Sequence, residues 1–136
     1  MEFTDLKRFP DYCRQAKGAL KVCKEADKAK VLLFSDNVLE YIISHFKEEY
    51  DADMVCSKAV RRLKAFDSEN NTNYLETLRR YLENGMQQTL TANELFIHRS
   101  TLIYRIKKIE ELTGVDLNDP DTRLYIQISI RLENAL

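Results

Sequence analysis

The chain has 136 residues, 44% of them hydrophobic and 32% charged, with a formal net charge of -1. That length makes one domain or two small ones, and the near-zero charge excludes a non-specific nucleic-acid coat, which would be strongly basic, while leaving room for a reader with a local basic cluster. Cys13, Cys23 and Cys56 are odd in number and have no metal spacing with each other or with His45 and His98, so they read as free thiols of a reduced, cytoplasmic protein with neither metal nor cofactor.

No apolar run approaches the roughly 18 residues of a membrane span and no signal peptide opens the chain, so no membrane partner is expected. After a mixed lead-in, Pro10 suits the first turn of a helix running from Asp11 to about Ala26. Tyr12, Ala16, Ala19 or Leu20, and Cys23 line one side of it, and Gly18 weakens it. Val31-Leu32-Leu33-Phe34 is short, apolar and bounded by polar residues, the pattern of a buried strand near residues 31–35. A lone strand leaves its backbone groups unpaired, and no second strand is legible. The segment pairs with its copy in a dimer, or is extended coil, or belongs to a truncated preceding domain. Asp36 or Asn37 can cap a helix to about Glu49, with Leu39, Ile42, Ile43 and Phe46 at helical spacing. A further helix is expected over Asp51–Phe66, with Met54 or Val55, Ala59, Leu63 and Phe66 inward. Its Lys58, Arg61, Arg62 and Lys64 read as a solvated face, and these two helices are candidates for a dimer contact.

Asp67–Thr72 is polar and sets a boundary between residues 1–70 and 71–136. Asn73 with Glu76 can start a helix striped by Leu75, Leu78 and Leu82, and Gly85 stops it. Thr91 followed by Glu94 has capping-box spacing and opens a short helix to about Phe96. The next helix, about 99–113, carries Leu102, Ile106 and Ile109 on a dry side. Thr101, Tyr104, Arg105 and Lys108 form its wet side, and Gly114 ends it. Val115 and Leu117 tuck beneath. Asp119-Pro120 is a strong helix start. The helix to about Asn134 has Leu124, Ile128 and Leu132 on one face and Ile126 and Ile130 on another, so it is expected to be covered on both, a second copy being one candidate.

A helix with a few cations on its wet side is ordinarily a solvated surface helix. Here a short helix bearing the small Ala92 precedes it across a tight turn, the layout of a helix-turn-helix. The runs L-x-T-L-R-x-Y-L-E-N-G at Leu75–Gly85, T-A-x-x-L-F-I-H-R-x-T-L-x-Y-R-x-x-K-I-E-E-L-T-G at Thr91–Gly114 and D-L-x-D-P at Asp116–Pro120 closely resemble the C-terminal DNA-binding domain of PucR/CdaR-type bacterial transcriptional regulators. The helix-turn-helix is similar to that of the nucleoid protein Fis. Ser100 stands where the family more often has Asn, and Phe96 where many such motifs have Gly. Y-x-x-Q-A-x-x-A-L at Tyr12–Leu20 and the apolar run at Val31 resemble the end of the family's degenerate GGDEF-like middle domain; no GGDEF sequence occurs and no cyclase activity is implied.

The expectation is a mainly α protein: a helical bundle with a C-terminal helix-turn-helix and one short strand from the preceding domain. The glycines are Gly18, Gly85 and Gly114, which leaves no phosphate-cradling loop, and no catalytic constellation is visible, so an enzyme is not expected. The recognition helix would enter the major groove of double-stranded DNA with Arg99, Ser100 and Thr101 nearest base edges. Arg105 and Lys108 would meet phosphates or a flanking base, while Thr91 and Asn93, read as the start of the preceding helix, would donate to the backbone. His98 is a turn residue or a phosphate contact, and Tyr104 packs with its hydroxyl exposed. A homodimer is expected, and any effector would bind outside these residues. The alternatives are a helical interaction module without DNA binding and a Fis-like architectural protein that bends DNA with little sequence choice.

Overall fold

The computed structural model describes residues 6–22 and 33–134, and every described element is helical. The structure separates into two compact units, Met1–Asp51 and Ala52–Leu136. In the first, a turn of 3-10 helix at Leu6–Arg8 runs into α1 (Phe9–Val22), which packs on α2 (Phe34–Glu49). Gly18 does not break α1, because the absent side chain is what admits its neighbours. A Cβ there would lie 2.8 Å from Tyr41 Cε2 and 3.1 Å from Phe34 Cε2. The two rings meet edge to face with centroids 5.3 Å apart, and a Lys21–Glu48 ion pair joins the helices. Cys23 and Ala26, expected in α1, lie outside the described residues.

The strand expected near residues 31–35 does not form at Phe34 and Ser35, which open α2; residues 31 and 32 lie outside the described residues. Leu33 is extended, at φ -90 and ψ 134, and occupies the N-cap position. Asp36 and Asn37 therefore lie inside the first turn, where the Asn37 side-chain amide donates back to the Leu33 carbonyl at 3.1 Å.

The second unit begins earlier than the polar run at Asp67–Thr72 suggested. The helix expected over 51–66 is two: α3 (Ala52–Val55) and α4 (Lys58–Asn70). They break at Cys56-Ser57, where Ser57 N-caps α4 by accepting from the Ala59 N–H at 3.3 Å. The Ser57 N–H in turn donates 2.9 Å to the Ser129 hydroxyl, fixing the start of α4 on the last helix. Val60 and Leu63 of α4 are fully buried in one core with Leu78, Leu82, Ile109, Leu117, Ile126 and Ile130. That shared core is why α4 belongs with the C-terminal helices, and why a boundary at 70/71 does not divide the packing. The cations Lys58, Arg61, Arg62 and Lys64 face outward.

Asn71 turns left-handed at φ 53 after α4, and α5 (Tyr74–Glu83) follows. Its start is not capped by Asn73, whose side chain makes no cap bond. Asp67 does this from the preceding helix: one carboxylate oxygen accepts from Tyr74 N–H and the other from Leu75 N–H, both at 2.8 Å. A residue whose spacing looked like loop therefore fastens two helices. At the far end the Gly85 N–H donates to the Leu82 carbonyl at 3.1 Å and the Met86 N–H to the Tyr81 carbonyl at 2.8 Å, the paired bonds of a Schellman stop with Gly85 at φ 59. Next come α6 (Gln88–Glu94), α7 (Arg99–Thr113) and α8 (Pro120–Asn134). Gly114 ends α7 at φ 72. The Asp119 carboxylate accepts from the Thr122 N–H at 2.9 Å and from its hydroxyl, capping α8. Among the described residues no helix is long and apolar enough to cross a membrane.

Candidate nucleic-acid interface

The interface is built from the inside of α6 outward. Residues 88, 91, 92 and 95 recur at i, i+3, i+4 and i+7 and turn toward the unit: Thr91 and Ala92 are buried, Gln88 and Leu95 half-buried. Because two of these positions are polar, the stripe is invisible to apolar periodicity, and α6 begins three residues before Thr91. This corrects two expectations. Thr91 is 0% exposed, and its hydroxyl donates to the Gln87 carbonyl at 2.9 Å; it neither caps a helix nor offers a hydroxyl to a duplex. Asn93 lies near the C-terminus of α6, exposed, with its carbonyl taken by the Phe96 N–H at 3.1 Å. The residues at the α6 N-terminus are Gln88 and Thr89, which the capping-box reading of Thr91 and Glu94 concealed. Glu94 instead receives Arg80 Nη1 at 2.8 Å and the Asn84 amide at 2.6 Å, tying α6 to α5.

The turn is a second Schellman stop. The Phe96 N–H donates to Asn93 and the Ile97 N–H to the Ala92 carbonyl at 3.0 Å, which places Phe96 at the left-handed position with φ 53. His98 then returns to extended geometry at ψ 146 and occupies the N-cap of α7, with its own side chain exposed and making no cap bond. Leu102 and Ile109 are fully buried, and Ile106 packs against the core, so the dry seam of α7 is as its spacing predicts.

The opposite face is rotated from the predicted stripe. Ser100, Tyr104, Lys107 and Glu111 lie at its centre and are exposed, with Tyr104 at 62%; Thr101 and Ile103 are exposed beside them. Arg105 sits toward the core side, half-buried, its Nη1 donating 3.1 Å to the hydroxyl of the buried Thr77 on α5. Lys108 is half-buried, 3.4 Å from Glu111. Arg99 is exposed and its guanidinium donates to the side-chain amide oxygen Oε1 of Gln88 on α6, from Nε at 3.0 Å and from Nη2 at 2.8 Å. Lys107 and Ile103 are the surface residues that the predicted stripe left out.

Charge singles out the turn and the first turns of α7, ahead of Glu110 and Glu111. From Leu95 to Ile109 there are four cations, Arg99, Arg105, Lys107 and Lys108, and no acidic residue. Arg79 and Arg80 of α5 are neutralised: Arg79 Nη2 lies 2.6 Å from Glu76 and Arg80 Nε 2.9 Å from it, with Glu83 and Glu94 close by. The hydrogen bond from Arg79 holds the Glu76 carboxyl below its ordinary range, and the bonds to Glu76 raise both arginines. The surface thus offers a cationic, hydroxyl-bearing helix start to an anionic partner, with no nucleophile–base pair in it.

Comparison with known proteins supports the same region. Residues 74–132 match the PucR C-terminal helix-turn-helix domain. The chain is 31% identical over 121 residues to the carbohydrate diacid regulator of Escherichia coli (strain K12), covering 88% of this chain and 31% of that protein. It is 43% identical over 76 residues to the proline-responsive transcriptional activator PutR of Bacillus subtilis (strain 168), covering 56% of this chain and 18% of that one. The purine catabolism regulatory protein of the same organism is 38% identical over 68 residues, half of this chain and 13% of that protein. The chain spans about a third or less of the length of these relatives. No solved structure matches it.

Proposed function

We propose that this chain, whose residues 74–132 match the PucR C-terminal helix-turn-helix domain, is part of a PucR/CdaR-type regulator and reads a specific sequence of double-stranded DNA with α7 in the major groove, as a homodimer in the bacterial cytoplasm. Regulation of transcription by DNA binding is the coarse function that domain and relatives support together. The observation that carries the finer reading is the start of α7. Arg99, Ser100 and Thr101 are exposed and free of carboxylates, while Leu102 one residue later is fully buried and holds the helix rigid. A helix clamped on one side and cationic on the other is what groove entry needs.

Arg99, Ser100 and Thr101 contact base edges; Tyr104, Lys107 and Lys108 meet the backbone further along; His98 meets a phosphate at the turn. Arg105 orients α7 through Thr77 and reaches a phosphate only with its remaining donors. Gln88 and Thr89, rather than Thr91 and Asn93, meet the backbone from the start of α6. Two copies would set their recognition helices about 34 Å apart, one turn of DNA. Leu124 and Tyr125, 55% and 48% exposed on α8, supply apolar surface for that pairing. The first unit is the tail of a preceding regulatory domain, and effector binding lies outside these residues.

The test is selection of binding sites from a random duplex pool, followed by gel-shift titration of Arg99→Ala and Lys108→Ala on the enriched and a scrambled duplex. Arg99→Ala is expected to cost about 1–3 kcal/mol on the enriched site and to relax its sequence. Lys108→Ala is expected to weaken both duplexes alike. No enrichment would favour a helical interaction module. Equal affinity for all duplexes would favour a bending protein that ignores sequence.

A further inference from the structure

Within the second unit, four helix ends pass through the left-handed region; at the α5 stop Met86 joins Gly85 there at φ 63, but its side chain is half-buried against the core, and three of the four ends close on a permissive residue. Asn71 closes α4, Gly85 closes α5 and Gly114 closes α7, residue types that tolerate positive φ at little cost. The fourth, closing α6, is Phe96 at φ 53, and its side chain is 94% exposed. A phenylalanine there is unfavourable twice for the isolated fold: its Cβ strains the backbone, and its ring gains nothing from burial. Glycine or asparagine would serve the turn better on both counts.

We propose that Phe96 is an apolar contact to the DNA duplex, its ring seated on the C–H surface of a deoxyribose or on a thymine methyl at the edge of the groove that α7 enters. Phe96 precedes Arg99 by three residues, which is at most about 11 Å of extended chain, so a duplex touching Arg99 and Ser100 passes within reach of the ring. The surroundings suit a polyanion. His98 and Arg99 are exposed beside it, and the carboxylate nearest in sequence, Glu94, is bound to Arg80 and Asn84. Sugars and thymine methyls are the apolar parts of a duplex that an exposed aromatic can cover. The strain of the turn is then compensated only in the bound state.

This rests on the DNA-binding reading above, so Arg99→Ala is measured beside the Phe96 variants. Full-length Phe96→Asn, Phe96→Tyr and Arg99→Ala are titrated by fluorescence anisotropy against a labelled duplex enriched from a random pool, and melted by circular dichroism. Phe96→Asn is expected to melt at or above the parent temperature yet bind roughly tenfold more weakly; Phe96→Tyr, which keeps the ring, stays within about twofold of the parent. Deoxyuridine in place of each thymine identifies the source. One position at which the parent, but not Phe96→Asn, loses affinity names a thymine methyl; none names a sugar. If Phe96→Asn binds like the parent while Arg99→Ala is weakened, the ring does not touch DNA and the proposal fails. A lower melting temperature for Phe96→Asn, or a changed sedimentation coefficient, would also overturn it, because the ring would then be serving the fold or a second copy. If Arg99→Ala and Phe96→Asn both bind like the parent, the DNA-binding reading itself falls.

Discussion

Leu102 and Ile103 are adjacent in sequence and opposite in fate, and the pair tests whether α7 is held as described. Leu102 is 0% exposed and lies under the start of the helix, whereas Ile103 is 45% exposed. Truncating Leu102 to alanine removes three carbons, about 2.4 kcal/mol of transfer free energy at roughly 0.8 kcal/mol per carbon. The cavity adds to that, for a total of about 2.7–5 kcal/mol. In a unit of this size each kcal/mol lowers the melting temperature by about 4–8 °C, so Leu102→Ala should lower it by more than ~10 °C. Ile103→Ala gives up burial on only part of its side chain and should cost about 1 kcal/mol or less. The assay is thermal melting followed at a helix signal, with denaturant titration as a second measure. Binding measured below both transitions separates fold from function: Ile103→Ala, on the surface proposed to face DNA, should lose affinity without losing stability. Equal melting temperatures for the two variants would refute the burial of α7 along its Leu102–Ile109 seam.

Asp67→Ala removes the acceptor for the Tyr74 and Leu75 N–H groups and for the Thr72 hydroxyl; a loss of about 1–2 kcal/mol is expected in denaturant titration, and Asn73→Ala, which caps nothing, should be close to neutral. Gly18→Ala would push a Cβ into the Tyr41 ring, costing about 1–3 kcal/mol in the first unit and leaving duplex binding by the second unit intact. Acidification should weaken the second unit in a defined window. The Glu76 and Asp119 carboxyls are held below their ordinary values of 4.5 and 3.8, by the Arg79 bond and the Thr122 hydroxyl respectively. A depressed folded value means stability that is complete above the unfolded value and drains as pH falls through the folded one. Melting temperatures should therefore hold down to about pH 5 and then decline; Glu76→Gln, which has no proton to gain, should show a shallower decline.

The helices of the second unit were legible because their seams are apolar. Leu78 and Leu82 on α5, Leu102 and Ile109 on α7, and Ile126 and Ile130 on α8 recur at helical spacing and meet in one core. The stops at Gly85 and Gly114 and the start at Asp119-Pro120 were legible because one residue does each job locally. What escaped was carried by side chains acting across the fold. The α5 cap comes from Asp67, seven residues before Tyr74. The seam of α6 contains Thr91, a polar side chain satisfied by the Gln87 carbonyl, so a buried position looked like an exposed cap. Glu94 was free to look like a capping-box partner because nothing in its local spacing shows that Arg80 claims it. At the candidate interface, Arg105 shares its helical stripe with Tyr104 and Lys108, and only the position of Thr77 on another helix turns it inward.

That redistribution of cations bears on how the proposed complex is held. Arg79 and Arg80 are spent on Glu76, Glu83 and Glu94, and Arg105 is partly spent on Thr77. The cations left facing outward on α7 are Arg99, Lys107 and the half-exposed Lys108, each with at most a weak or neutral partner. Counterion release scales with the number of phosphates neutralised, at about 0.9 per contact for duplex DNA. With Lys107, Lys108 and the remaining donors of Arg105 on phosphates, three contacts per copy give a log–log salt slope of about -3, too shallow for tight binding by one copy at physiological salt. Two copies on a two-fold site double it to about -6 and add the base contacts of a second α7. The sparse charge of the single domain, read with the uncovered Leu124 and Tyr125 on α8, is thus the physical case for pairing, and a measured slope near -3 at saturating affinity would place the energy in contacts other than these cations.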